Sequence, residues 1–366
     1  MKVLIVSGIW PPDVGGPASH APELAAWLRR RGHDIEVVTT ADAEPAATGY
    51  PVRWISRRLP AGLRHLAAAA QIARQSRGVD VVYATSMVGR TAVATFVARR
   101  PFVAKIASDA AFDRARRRGV VTADETAFQE GGGGTLAAVL RRLRNWSVRR
   151  AAAVVCPSSY IAGLAATWRG HPEGVVVLPN PAPDPGDAAP AAREYDGELV
   201  VFSGRLTAQK DVGVAIRAVQ AVPSAHLLVV GDGEERRRLE AESGERVHFV
   251  GARSRAEVLG LLAAADVAVL PSRWENFPHA AVEALAMGTP VVATRVGGVP
   301  EIVRDGENGA LVEPGDEEAF HRALELLLGD AALRGRLAAA AAPSVVRFSA
   351  DVVYGELERV LERARG

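Results

Sequence analysis

At 366 residues the chain exceeds one ordinary domain and suits two of about 150 to 200 residues each, which excludes a small scaffold held by disulfides or a metal. Hydrophobic residues make up 48% and charged residues 23%, so the chain can bury sizeable cores and carries no disorder signature. The net charge of +2 hides an asymmetry, because residues 1–178 hold 24 Lys and Arg against 13 Asp and Glu, whereas residues 179–366 hold 20 against 29.

The apolar run at 3–7 predicts a first buried strand; Pro11, Pro12, Gly15 and Gly16 follow too soon for a signal peptide. No uninterrupted apolar run reaches the roughly 18 to 20 residues of a membrane span. A helical pattern at 21–31 follows, then strands at 35–40, 79–84 and 152–156, the βαβ rhythm of a parallel sheet with helices on both faces. The one cysteine, Cys156, fits a reducing, cytoplasmic setting. Prolines, glycines and acids at 179–197 predict an interdomain linker. Strands at 199–203, 225–230, 247–250, 267–270 and 290–294, each followed by a helical pattern, then form a second alternating set. A charged amphipathic helix at 350–365, beyond Pro343, closes the chain. The expected organisation is an α/β protein of two doubly wound lobes: 1–178, a linker at 179–197, and 198–344, with a C-terminal helix at about 345–366 packing back on the first lobe. Open parallel sheets bind ligands beyond the carboxyl ends of their strands, so the predicted site is a cleft between such lobes.

Three motifs fall just after strands. Pro11-Pro12-Asp13-Val14-Gly15-Gly16 precedes a helix, where glycines let backbone N–H groups approach an anion; a tight strand-to-helix turn explains the same residues. Ser203-Gly204-Arg205-Leu206-Thr207-Ala208-Gln209-Lys210 sets two cations five positions apart beside a helix start, which suits a diphosphate whose leaving oxygen gains charge, or a solvated surface pair. All but three of the 44 basic residues are arginine, so Lys210 stands out. Glu275-Asn276-Phe277-Pro278-His279-Ala280-Ala281-Val282-Glu283 puts one glutamate in a loop and one in the second turn of a helix, with Pro278 at the first helical position. Carboxylates accept paired hydroxyl hydrogen bonds, and the N–H groups near Asn276, Phe277 and His279 can meet a phosphate or sugar oxygen; ordinary helix-start charges are the plainer reading.

Together these motifs resemble glycosyltransferase family 4, the retaining GT-B enzymes, most closely from 199 to 316. The ordered series adds Val230-Gly231-Asp232-Gly233, Phe249-Val250-Gly251, Gly288-Thr289-Pro290-Val291-Val292-Ala293 and Gly297-Gly298-Val299-Pro300-Glu301. The resemblance implies a GT-B fold and transfer of a hexosyl unit from a UDP- or GDP-linked sugar to an acceptor hydroxyl. Arg205 and Lys210 would bind the donor diphosphate, Glu275 the transferred sugar and Glu283 the ribose. Gly15 and Gly16 would approach the donor from the first lobe, and Arg253 would contact the base. Many members carry a histidine on a first-lobe loop where this chain reads Ala104-Lys105-Ile106-Ala107-Ser108-Asp109. Asp109 binds the donor sugar or orients the acceptor, or instead caps the helix that follows. Retention is ascribed in this family to front-face attack, so catalysis is mostly positioning and leaving-group stabilisation. The chain contains no Asp-x-Asp, and activity without a cofactor or divalent metal is expected.

The resemblance puts the acceptor, a sugar, a lipid-linked group or a small molecule, on the first lobe. There the arginines of 114–118 and 141–150 flank a glycine run at 131–134 that reads as a mobile loop. They fit either a peripheral contact with an anionic membrane or a solvated basic helix. A nicotinamide oxidoreductase is disfavoured because Gly231-Asp232-Gly233 lacks the third glycine, at Arg236; the acidic second lobe argues against nucleic acid. A non-catalytic sugar-nucleotide-binding protein of the same fold is the retained alternative.

Overall fold

The computed structural model describes residues 1–13, 16–121, 125–192 and 195–366. They form two compact units, Met1–Pro179 with Val353–Gly366, and Asn180–Val352.

The first unit runs β1 (Lys2–Val6), α1 (Gly16–Arg30), β2 (Asp34–Ala41), β3 (Val52–Ser56), α2 (Ala61–Ser76), β4 (Val81–Ala84), α3 (Val88–Ala98), β5 (Phe102–Lys105), α4 (Ala110–Arg117), α5 (Glu125–Gln129), α6 (Gly134–Arg150), β6 (Ala153–Cys156), α7 (Ser159–Arg169) and β7 (Val175–Val177). Its strands lie parallel in the order β3-β2-β1-β4-β5-β6-β7. Residues Val3 to Val6 and Val81 to Ala84 are fully buried, which is why β1 and β4 read as unbroken apolar runs rather than alternating ones. The strand order reverses between β1 and β4, making their carboxyl ends the switch point of this sheet.

The second unit runs β8 (Glu198–Ser203), α8 (Val212–Gln220), β9 (Ala225–Val230), α9 (Arg236–Ala241), β10 (Val247–Gly251), α10 (Arg255–Ala264), β11 (Val267–Leu270), α11 (His279–Ala286), β12 (Val291–Thr294), β13 (Gly309–Val312), α12 (Glu317–Gly329) and α13 (Ala331–Val345). Its parallel order is β10-β9-β8-β11-β12-β13, with the switch point between β8 and β11. The period of two along β8 divides its side chains between two cores. Val200 and Phe202 join α8 and α12 residues on one face, and Leu199 and Val201 join α11 and α13 residues on the other.

From Asn180 onward the described residues of the segment expected as an interdomain linker belong to the second unit: they make a 3-10 turn at Pro185–Asp187, and the Ala189 N–H donates to the Ala256 carbonyl of α10 at 2.9 Å. Pro343 lies inside α13, near its end, and the charged helix expected beyond it follows. The chain closes with α14 (Ala350–Arg365), in the first unit from Val353 onward. There Glu358 accepts from His33 at 2.5 Å and Arg31 at 3.3 Å, and the Tyr354 hydroxyl donates to Glu23 at 3.2 Å. By length and hydropathy alone the stretch Ala331–Arg365 could cross a membrane. However, Leu337, Ala341 and Val345 lie in a core of the second unit and Val353, Leu357, Val360 and Leu361 are buried as well.

Candidate active site

At the switch point of the second sheet the loops after β8 and β11 are fastened to each other. The Arg273 N–H donates to the Gln209 carbonyl at 2.8 Å and Gln209 Nε2 to the Trp274 carbonyl at 2.9 Å. Arg273 Nε reaches Asp211 at 2.8 Å. This zipper brings Lys210 Nζ onto Glu275 Oε1, an oxygen that also accepts from Ser272 Oγ at 2.8 Å. Glu275 is only 6% exposed, so its charge depends on these partners. Ser272 was not singled out from sequence; its place three residues before Glu275 in the same loop was the available signal. Arg205 is exposed on the loop after β8 and makes no ion pair among the described residues.

Glu283 lies in the second turn of α11, as its spacing predicts. Burial raises its carboxyl above the ordinary range, opposed by Arg255, whose Nε is 3.7 Å away. The guanidinium beside Glu283 is therefore that of Arg255, while Arg253 is exposed in the loop before α10. The sequence held a signal for this: Ser254 and Glu257 form a capping box that puts Arg255 at the first helical position. Pro278 is the N-cap of α11 rather than its first residue. It has no N–H to donate, and no side chain caps the start of the helix. Phe277 is buried and packs edge-on against Phe348, centroids 5.7 Å apart, so only its backbone can serve a ligand. His279 Nε2 lies 2.9 Å from Asn180 Nδ2. Asn276 is half-buried beside Glu275.

In the first unit, Gly16 opens α1 and Gly15 lies outside the described residues. The preceding loop is pinned by Asp13 to Arg57, whose hydrogen bonds hold the Asp13 carboxyl below its ordinary range. Asp109 takes the capping role: one oxygen accepts from Ala111 N–H at 2.8 Å, and the other is held by Arg144 and by Gln129 at 2.9 Å. It is 1% exposed. Arg144 is consumed by that pair, and Arg141 donates to the carbonyls of Phe128, Gly131 and Gly132 at 3.1, 3.0 and 2.6 Å. The glycine run read as a mobile loop is thus fastened, and Arg141 and Arg144, two of the arginines that fit either a membrane contact or a solvated face, are committed inside the unit. Lys105, at the end of β5, is buried against His20 Nε2 at 3.3 Å, and that nitrogen lies 3.2 Å from the Tyr83 hydroxyl. Burial pushes the Lys105 ammonium down to about 7. Among the described residues no group of three or more His, Cys, Asp or Glu converges as a metal site.

Two doubly wound parallel sheets, the second with a cation and a carboxylate meeting at its switch point, define a two-lobe α/β glycosyltransferase architecture, the GT-B fold. HepE of Anabaena in complex with UDP-glucose superposes with a TM-score of 0.78 at 23% identity, over 99% of each chain. Residues 188–343 match the family model for glycosyl transferases group 1, and residues 15–181 match the glycosyl transferase 4-like domain. The chain belongs to this family of GT4-type glycosyltransferases. A lipopolysaccharide core biosynthesis glycosyltransferase, LpsE of Rhizobium meliloti, is 37% identical over 46% of this chain and 50% of its own length. The D-inositol 3-phosphate glycosyltransferase of Stackebrandtia nassauensis is 36% identical over 58% of this chain and 55% of its own. The chain thus spans about half the length of these curated relatives.

Proposed function

We propose that the chain is a retaining hexosyltransferase that moves a sugar from a UDP- or GDP-linked donor to an acceptor hydroxyl without a divalent metal. The observation that carries this reading is the contact between Lys210 and Glu275, 65 positions apart in sequence, at the carboxyl ends of adjacent strands. A sugar diphosphate presents its anionic and hydroxyl-bearing parts side by side. Lys210 has three donors, so it can keep Glu275 and still meet a phosphate. Arg205 and the N-terminus of α11 supply further positive potential. Glu275 would orient sugar hydroxyls and Glu283 the ribose. Front-face attack then needs the leaving diphosphate to take the acceptor proton while the cations hold its growing charge. The UDP-glucose bound by HepE and the transferase activities in the names of the relatives support this class of donor.

The test is a panel of UDP- and GDP-sugars read by thermal shift and by slow release of free nucleotide, in wild type, Lys210→Ala and Glu275→Ala. One donor should stabilise the wild type and be hydrolysed only by it. Binding without hydrolysis or transfer to any acceptor would favour the non-catalytic alternative. Complete loss of turnover in chelator would overturn metal independence, and an inverted anomeric configuration in the product would overturn retention.

A further inference from the structure

In the loop after β11 one serine gives its proton to a charged side chain. A loop serine ordinarily bonds a nearby main-chain group, but Ser272 Oγ donates to Glu275 Oε1 at 2.8 Å. Ser272 is fully buried, and its backbone is held from outside the loop. Thr294, the last residue of β12, donates its hydroxyl to the Ser272 carbonyl, with the Leu270 carbonyl at 3.4 Å. Pro271 fixes φ on the approach.

Lys210 Nζ meets the same carboxylate oxygen. Both hydrogen bonds that the Glu275 carboxylate accepts among the described residues therefore fall on Oε1, and Oε2 receives neither. The two donors differ in what they can fix. An ammonium is a compact charge with three rotatable donors on a flexible stem, so it attracts a carboxylate without choosing its rotation. The terminal torsion of a glutamate is itself broad and nearly two-fold, which makes either oxygen acceptable to Lys210. A hydroxyl has one proton, and this one stands on a short side chain whose backbone Thr294 holds. Ser272 is thus the directional donor, the one that selects which oxygen turns into the protein and the angle at which the other stands.

We propose that Ser272 is a positioning residue of the donor site: its hydroxyl holds Oε1 beside Lys210 and leaves Oε2 to accept from the hydroxyls of the transferred sugar. The assignment rests on the transferase reading above and divides the site into two parts. Lys210 meets the diphosphate with or without Ser272, whereas the sugar depends on the rotation that Ser272 sets. Loss of the hydroxyl then separates handling of the sugar from binding of the nucleotide, which a general loosening of the loop does not do.

The full chain is compared with Ser272→Ala, Glu275→Ala and the double variant Ser272→Ala/Glu275→Ala. Binding of UDP and GDP is measured by calorimetry, and release of free nucleotide is timed from UDP-glucose, UDP-N-acetylglucosamine and GDP-mannose. In Ser272→Ala hydrolysis of the donor should slow about tenfold or more, as for one hydrogen bond to a charged group, while affinity for the free nucleoside diphosphate stays within about twofold. With Glu275 already truncated, removing Ser272 should slow hydrolysis no further, because the two residues act as one unit. Hydrolysis in Ser272→Ala at the wild-type rate overturns the proposal. So does an equal loss of nucleotide affinity, which marks a loosened loop, or a further tenfold loss in the double variant, which shows that Ser272 acts on something other than Glu275. A wild type that neither binds a nucleotide nor hydrolyses a donor fails the transferase reading itself and takes this assignment with it; an active wild type beside an equally active Ser272→Ala fails the assignment alone.

Discussion

Gly297 stands against the backbone of Glu275: a Cβ at Gly297 would lie 1.7 Å from the Glu275 carbonyl oxygen, the oxygen to which the Gly298 N–H donates at 3.3 Å. The loop after β12 is therefore the floor on which the Glu275 loop rests. Gly297 has a φ of +49°, which costs a residue with a side chain about 1 to 2 kcal/mol, and the overlap forces backbone movement beyond that. Gly297→Ala should lower both the Tm and the affinity for nucleotide. Gly288→Ala supplies the control, since Gly288 also has a positive φ, +81°, but nothing within 4 Å of its Cβ position. Equal losses in the two variants would show that backbone strain alone, and not support of Glu275, explains Gly297.

The Lys210–Glu275 pair separates a structural role from a chemical one. With Glu275 buried, Lys210→Met leaves a carboxylate without its cation and should cost about 3 to 5 kcal/mol in urea unfolding. The double variant Lys210→Met/Glu275→Gln removes both charges, so its stability should return most of the way to that of the wild type. Donor hydrolysis should not return, because the charge facing the leaving diphosphate is gone; a loss of about 100-fold or more is expected. A double variant that regains hydrolysis along with stability would reduce the pair to a structural ion pair.

The sequence reveals the site where chemistry repeats a local pattern and hides it where contacts are long-range. Strands 225–230 and 267–270 and the helix at 350–365 fall where their apolar patterns predict. By contrast, β3 carries Arg53 and Trp54 at the sheet edge, and β7, at the other edge, is only Val175–Val177. Such short or edge segments lack the run length that identifies a strand. Lys210 and Glu275 are both conspicuous in sequence, yet nothing local says that they touch. Nor does any spacing reveal that Arg144 is spent on Asp109, since that pairing depends on how α6 packs against the start of α4.

Asp109 offers a second separation. Asp109→Asn keeps a capping oxygen for the Ala111 N–H but withdraws the negative charge from Arg144, which also lies 4.1 Å over the Trp168 ring. Asp109→Ala loses the cap as well, worth about 1 kcal/mol, beside a cost of about 3 to 5 kcal/mol for leaving a buried cation alone. Stability in urea should thus fall in the order wild type, Asn, Ala. A catalytic Asp109 would show the opposite signature: an Asn variant as stable as the wild type with turnover abolished.

Lys105 predicts a pH dependence of stability with a definite sign. Its ammonium is pushed down to about 7 in the folded chain from an ordinary 10.5. Between those values the unfolded chain holds a proton that the folded chain does not, so stability rises with pH across this window and is lost as pH falls toward 7. The slope approaches about 1.4 kcal/mol per pH unit for a single group. Lys105→Met has no such proton, so it should be more stable than the wild type at pH 7, with the gap closing by about 1 to 3 kcal/mol by pH 9. Urea unfolding of both proteins at pH 7, 8 and 9 isolates this group, because other titrations common to both cancel in the difference. Parallel stability curves would mean that Lys105 keeps its charge in the folded protein, and that its contacts with His20 and the surrounding groups offset its burial.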